Sequence, residues 1–306
     1  MYNGIINIKK EKGFTSHDVV AKLRGIVGQR KIGHTGTLDP DATGVLPVCL
    51  GKATKVCELL TDTSKEYRTT VLLGVTTDTQ DTSGEVLSSR DTSALNEQQV
   101  MDCILSFIGE YQQIPPMYSA IKINGKKLYE LARQGMEVER KARTVILHEI
   151  EIESIDLPRI TMRVHCSKGT YIRTLCHDIG EQLNCGGCME ELVRTRVGIF
   201  ELDSAVTLSE VEAAKQDLDG DTFTRLLYAI DSVFPDRVKC QVHEESLKKA
   251  MNGSGLRSSE FVPISQGSFS SETREILLYD VSGDLIGLYV KSDQGIWKCK
   301  KFFYSM

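Results

Sequence analysis

The chain has 306 residues, of which 41% are hydrophobic and 26% charged, with a formal net charge of −5. That is the composition of a soluble globular protein long enough for one large domain and a small one. It excludes a membrane span, because apolar runs such as Val45-Leu46-Pro47-Val48-Cys49-Leu50 fall well short of about 20 residues.

Gly4 to Lys9 reads as a strand, and the lysines after it are in the wrong order for a secretory signal. Val19, Val20, Leu23, Ile26 and Val27 fall at helical spacing, with Thr15 or Ser16 as N-cap and Gly28 as the stop. Arg30 to Gly51 shows no periodicity and is rich in Gly, Thr, Asp and Pro, which predicts a long loop of the kind that carries function. Tyr67 to Gly74 is strand-like, and Asn96 to Gly109 has a helix's apolar spacing between an Asn start and a Gly stop. Ile146 to Ile155 and Ile160 to Cys166 alternate, and together predict an antiparallel hairpin turning at Leu157-Pro158. Tyr171 to Leu183 reads as helix, Arg196 to Glu201 as strand, and Thr207-Leu208-Ser209-Glu210 as a capping box. Beyond Asp231 the texture changes. Pro235, a Gly253–Gly255 turn, Ser-rich Ser265–Ser271 and short strands at Glu275–Val281 and Leu285–Lys291 predict a small β-rich domain. The boundary falls near Ala229 to Pro235, giving domains 1–230 and 231–306. A fragment ending near Ala229 is expected to fold, unless Leu277, Ile286, Leu288 and Trp297 complete the first domain's core. Mixed strand and helix order gives an α+β fold rather than a doubly wound parallel sheet.

Charge is segregated. From Pro115 to Ile146, seven basic residues (Lys122, Lys126, Lys127, Arg133, Arg140, Lys141 and Arg143) stand against three glutamates, while Asp203 to Asp221 holds six carboxylates and only Lys215. The net charge argues against a nucleic-acid binder, and the basic segment argues for a local binding face; a solvated helical face accounts for it equally well.

Several chemistries fail on spacing. Gly51-Lys52-Ala53-Thr54 is not a phosphate loop, because Leu46 stands where the first glycine belongs, and no G-x-G-x-x-G occurs. Cys185-Gly186-Gly187-Cys188 has metal-ligand spacing but no second pair, so no zinc site is expected. The nine scattered cysteines read as reduced thiols of a cytoplasmic protein. No G-x-S-x-G occurs and the six histidines do not cluster near a serine. Carboxylates remain. In Gly33-His34-Thr35-Gly36-Thr37-Leu38-Asp39-Pro40-Asp41-Ala42-Thr43-Gly44 the glycines permit close approach of a ligand. On these residues alone, Asp39 and Asp41 are as readily turn-formers as reactive groups.

This stretch resembles the signature loop of the TruB family of tRNA pseudouridine synthases. So do Lys65-Glu66-Tyr67, the run from Pro115-Pro116-Met117-Tyr118-Ser119-Ala120 through Gly135, Cys166-Ser167-Lys168-Gly169-Thr170-Tyr171-Ile172-Arg173, and Leu192-Val193-Arg194-Thr195-Arg196-Val197-Gly198, all in the family's order. The resemblance implies a pseudouridine synthase fold, a mixed sheet flanked by helices, with a small C-terminal PUA-like RNA-binding domain. It implies that Asp39 is catalytic and Asp41 a bystander, that Arg173 pairs with Asp39 and holds it ionised, and that Tyr67, Tyr171 and Leu192 line the pocket. His34 would fill the gap left in the RNA loop, and the insertion at 115–145 would grip RNA through Lys122, Lys126, Lys127, Arg140, Lys141 and Arg143. The implied substrate is the uridine at position 55 in the T-stem-loop of tRNA. No cofactor, metal, membrane or protein partner is implied, and a monomer suffices.

Overall fold

In the computed structural model, which describes residues 1–123, 125–217, 221–264 and 269–304, the strands assort into one large sheet, one smaller sheet and two hairpins. The chain opens with β1 (Gly4–Lys10), β2 (Ile32–His34), β3 (Thr43–Leu50) and β4 (Lys65–Leu73). A hairpin of β5 (Val75–Thr77) and β6 (Val86–Ser89) precedes β7 (Gly109–Gln113). A second, β8 (Lys122–Ile123) with β9 (Lys126–Lys127), lies in the basic segment. Next come β10 (Arg143–Asp156), β11 (Arg159–Cys166), β12 (Gly187–Val197), β13 (Phe200–Glu201) and β14 (Leu227–Tyr228). The ten-stranded sheet has the order β14-β1-β3-β12-β4-β11-β10-β7, with β2 and β13 attached to β3 and β12. It is mixed, since β12 runs parallel to β3 and antiparallel to β4.

Helices α1 (Ser16–Val27), α2 (Cys57–Thr61), α3 (Glu97–Leu105), α4 (Leu128–Ala132), α5 (Ile172–Gln182), α6 (Leu208–Gln216) and α7 (Thr222–Arg225) accompany this sheet. The ends of α1 follow local chemistry. Thr15 and Asp18 form a reciprocal capping box, and Gly28 closes the helix in the left-handed region at φ 68°; such a cap contributes about 0.5–2 kcal/mol. The apolar face of α1 (Val19, Val20, Leu23, Val27) packs with α6 on β1 and β3, whereas α3 and α5 cover Tyr67, Val71, Ile160, Met162 and Val164. None of the helices among the described residues is long and apolar enough to cross a membrane.

Three segments differ from the sequence expectation. Arg30 to Gly51 is not one loop: β2 and β3 occupy both its ends, and the loop proper is 35–42. Strand β3 is buried over seven consecutive residues, so it shows the continuous apolar run of a strand covered on both faces and no alternation. The strand expected at Arg196–Glu201 is two, β12 and β13, paired across the turn at Gly198. Register shifts at Met189/Glu191 and Arg194/Arg196 break the alternation of β12 and hid its start at Gly187. Helix α3 stops at Leu105, ahead of the expected Gly109. The α1, β4, α5 and β10–β11 expectations hold to within a few residues.

The C-terminal sheet has the order β16-β15-β17-β18-β19, from β15 (Val238–Val242), β16 (Phe261–Pro263), β17 (Glu275–Tyr279), β18 (Leu285–Lys291) and β19 (Trp297–Phe302), with helix α8 (Glu244–Met251) beside it. Of the Ser-rich stretch and the acidic stretch, residues 265–268 and Asp219 lie outside the described residues. One face of this sheet has its own core, with Ile286, Tyr289 and Trp297. The other is shared: Leu277, Tyr279, Leu288 and Phe303 are buried against Ile5, Val45, Val56 and Phe200 of the larger unit. The two units therefore have one hydrophobic interior in common.

Candidate active site

The loop between β2 and β3 carries Asp39. Asp39-Pro40-Asp41-Ala42 is a real turn, closed by the Ala42 amide donating to the Asp39 carbonyl at 3.2 Å, and Pro40 fixes its second position. Asp41 is exposed. Being a turn residue and being in the site are compatible for Asp39, because the turn uses its backbone and leaves its carboxylate free.

That carboxylate meets Arg173 on α5. Arg173 Nε lies 3.0 Å from Oδ2 and Nη2 donates to Oδ1 at 3.3 Å, the two-pronged geometry that guanidinium and carboxylate planes favour. Arg173 is 5% exposed and its remaining donors are used: Nη1 to the Thr79 carbonyl at 3.1 Å, Nη2 to the Tyr118 carbonyl at 2.8 Å, and Nη1 toward Asp81 Oδ2 at 3.6 Å. Asp39 remains 39% exposed at its side chain, opening outward while ringed by protein elsewhere. Burial is the largest influence on it and pushes its carboxyl above the ordinary range; Arg173 pulls it down and Asp81 adds to the rise. Arg173 offsets only part of the rise that burial causes, and the second carboxylate, which shares the same guanidinium, adds to it.

Tyr67 on β4 is buried and Tyr171 stands at the start of α5; burial raises both phenols. Leu192 on β12 pairs in register with Thr69 and packs against the core that contains Tyr67 and Leu38. His34 ends β2, its Nδ1 accepts from the Gly36 amide at 3.3 Å, and its ring meets His17 edge-on. Burial, with His17 and Arg194 nearby, lowers its pKa and favours the neutral ring.

Four residues that sequence reasoning missed hold these groups in place. Ser16, fully buried, accepts from the Leu38 amide at 2.9 Å. Lys10 Nζ donates to the carbonyls of Pro40, Phe14 and Glu11, and its burial brings its pKa down to about 8. Gln113 clamps Tyr171 at both backbone groups, at 2.8 and 2.9 Å. Asp81 joins Arg173. The signal for Asp81 was the Thr- and Asp-rich stretch Thr76 to Ser83, a polar turn much like the Asp39 loop. The other three gave none, because a buried polar side chain is defined by what surrounds it.

The basic segment leaves the sheet at Gln113 and returns at Arg143, which are register partners. Lys122, Lys126, Lys141 and Arg143 are exposed. Lys127 lies against the Tyr129 ring, and Arg140 is occupied by Glu137 at 3.0 Å and by the Pro115 carbonyl at 3.3 Å. Cys185, just past α5, and Cys188, on β12, are buried, Cys185 facing the Gly180 and Gly186 carbonyls. Among the described residues no three His, Cys, Asp or Glu side chains gather as a metal would require.

The fold is shared with solved structures. Over 98% of this chain and 85% of the other, it superposes with a TM-score of 0.74 and 27% identity on a chain of "a Cbf5-Nop10-Gar1 Complex". An equal TM-score, at 25% identity and with 99% of this chain and 85% of the other covered, relates it to a chain of an "H/ACA RNP bound to a substrate RNA containing 2'-deoxyuridine". These neighbours define the chain as a member of the pseudouridine synthase fold. Residues 24–172 match the family model described as "TruB family pseudouridylate synthase (N terminal domain)", and 173–234 that described as "tRNA pseudouridylate synthase B C-terminal domain". The tRNA pseudouridine synthase B of Lachnoclostridium phytofermentans is 50% identical over 295 residues, 94% of each chain, and that of Alkaliphilus oremlandii 48% identical over 260 residues, 85% of each. The chain belongs to the TruB family of pseudouridylate synthases.

Proposed function

We propose that this enzyme isomerises uridine to pseudouridine at position 55 in the T-loop of tRNA, with Asp39 as its catalytic carboxylate and no cofactor. The observation that carries this reading is the Asp39–Arg173 pair, held at 3.0 and 3.3 Å, with Leu192 packed against the cluster that holds Tyr67 and Leu38 and Tyr171 at the start of the helix that carries Arg173. In the reaction the N1–C1′ bond breaks, the uracil turns, and C5 joins C1′; the C5 proton departs and N1 gains one, so atoms and charge balance without an outside reactant. A carboxylate beside the ribose can act on it directly. The target base leaves its stack to reach Asp39, at about a few kcal/mol. Tyr67 stacks on it, Tyr171 lies over its other side, and His34 occupies the vacated position in the RNA loop.

The exposed lysines of the insertion and Arg143 supply phosphate contacts, and the C-terminal domain, 231–306, acts as a PUA-like accessory RNA-binding module. Every group named lies on one chain, so a monomer suffices in a cytoplasmic setting. The test is to incubate the enzyme with a T-stem-loop RNA and map pseudouridine by nucleotide. Modification at position 55, and none in an RNA with cytidine there, is the expected result; modification elsewhere would remove the T-loop assignment.

A further inference from the structure

Arg194 is a buried cation that no carboxylate among the described residues neutralises. It lies on β12 at 1% exposure, and the titratable group that favours its charge is the Tyr67 phenol. Its Nε donates to the Val45 carbonyl at 2.7 Å and its Nη2 to the Gly36 carbonyl at 3.3 Å. Burying a charge in this way opposes folding, and an apolar side chain of similar volume would fill the space more favourably. What a hydrocarbon cannot do is hold two acceptors in fixed relation. Gly36 and Val45 lie on either side of Asp39, so Arg194 closes the base of the Asp39 loop. Tyr67 is the register partner of Arg194 across β4 and β12. On its other flank Arg194 pairs with Gly44, whose φ of 103° and closeness leave no room for a side chain: an added Cβ would lie 2.2 Å from the Arg194 carbonyl oxygen. The returning strand is thus pressed onto β12 at this residue.

We infer that Arg194 is a positioning residue, its guanidinium locking the base of the Asp39 loop onto β12 beside its register partner Tyr67, so that carboxylate and ring keep a fixed separation when a base enters between them. This rests on the function proposed above. Ser16 and Lys10 hold single points of the loop, whereas Arg194 ties both its ends to the strand paired with Tyr67. Lysine cannot replace it, because an ammonium lacks the planar fork.

The experiment uses full-length Arg194→Lys and Arg194→Met, with hydrogen exchange over residues 36–45, binding to T-stem-loop RNA, and kcat. In both variants exchange over 36–45 should rise about tenfold or more while α8 is unchanged, a local loosening rather than global unfolding. Turnover should fall about 100-fold in Arg194→Met and less in Arg194→Lys, since small misplacements cost that much, with RNA affinity kept. If Arg194→Met does not fold, Arg194→Lys carries the test. Wild-type exchange over 36–45, an unchanged kcat, or a kcat loss matched by equal loss of RNA binding overturns the inference. The exchange result is independent of activity, so a wild-type protein that makes no pseudouridine counts against the proposed function and not against this clamp.

Discussion

Arg173 contacts both carboxylate oxygens of Asp39 from a position 134 residues further along the chain, and the same guanidinium reaches Asp81 at 3.6 Å. Two carboxylates and one cation make this a three-body arrangement, in which Arg173 pulls the Asp39 carboxyl down and Asp81 pushes it up.

The pH dependence of turnover follows from it. The Asp39 carboxyl is raised above its usual 3.8, with burial foremost, so ionised Asp39 is lost as pH falls through a value higher than usual. The acid limb of kcat should therefore lie above the ordinary carboxylate range. Arg173→Met removes an influence that lowers it and should move the limb up by about 1–3 units. Asp81→Asn removes a like charge and should move the limb down. Shifts in the same direction, or none, measured by single-turnover rates against pH, would show that the three groups are not coupled.

Salt dependence tests the insertion. Lys122, Lys126 and Lys141 are exposed and absent from the ion pairs of the described residues. Neutralising any one that meets a phosphate should flatten the log affinity–log salt slope by about 0.7–0.9. Arg140, occupied by Glu137 and Pro115, should change the slope less than any of the three. An unaltered slope in the triple lysine variant would assign RNA gripping to another surface.

The C-terminal unit is not freely removable. Ending the chain near Ala229 would uncover Ile5, Val45, Val56 and Phe200, all fully buried against Leu277, Leu288 and Phe303, at about 1.5–3 kcal/mol for each large side chain exposed. Truncation should give insoluble or strongly destabilised protein. Leu277→Ala in the full chain should lower stability by about 2–5 kcal/mol in a single transition that includes the larger sheet. A soluble, active fragment ending near Ala229 would show that the shared interior is dispensable.

Much of this architecture could be read in advance where the cause is local. Thr15, Asp18 and Gly28 delimit α1 through their own hydrogen bonds, and alternation in β10 and β11 reflects one buried face. Strand β3 escaped because burial on both sides erases alternation, and β12 because its bulges shift the phase. In the site, Asp39, Tyr67, Tyr171 and Arg173 were legible through the motifs they sit in. Ser16 and Gln113 were not, Asp81 showed only as part of a polar turn, and Arg194 stood inside a motif without a role of its own. Their partners Leu38, Arg173, Tyr171, and Gly36 with Val45, are all distant in the chain, from 22 residues for Ser16 to 158 for Arg194. Only the order of strands in the sheet brings them together.

The most direct test is Asp39→Asn. The substitution keeps size and turn geometry, removes the charge, and leaves the insertion and the C-terminal surface intact. Pseudouridine formation on T-stem-loop RNA, followed in a single turnover beside RNA binding, should vanish while affinity is retained. Substantial pseudouridine formed by Asp39→Asn, at whatever affinity, would contradict the assignment of Asp39 as the catalytic carboxylate.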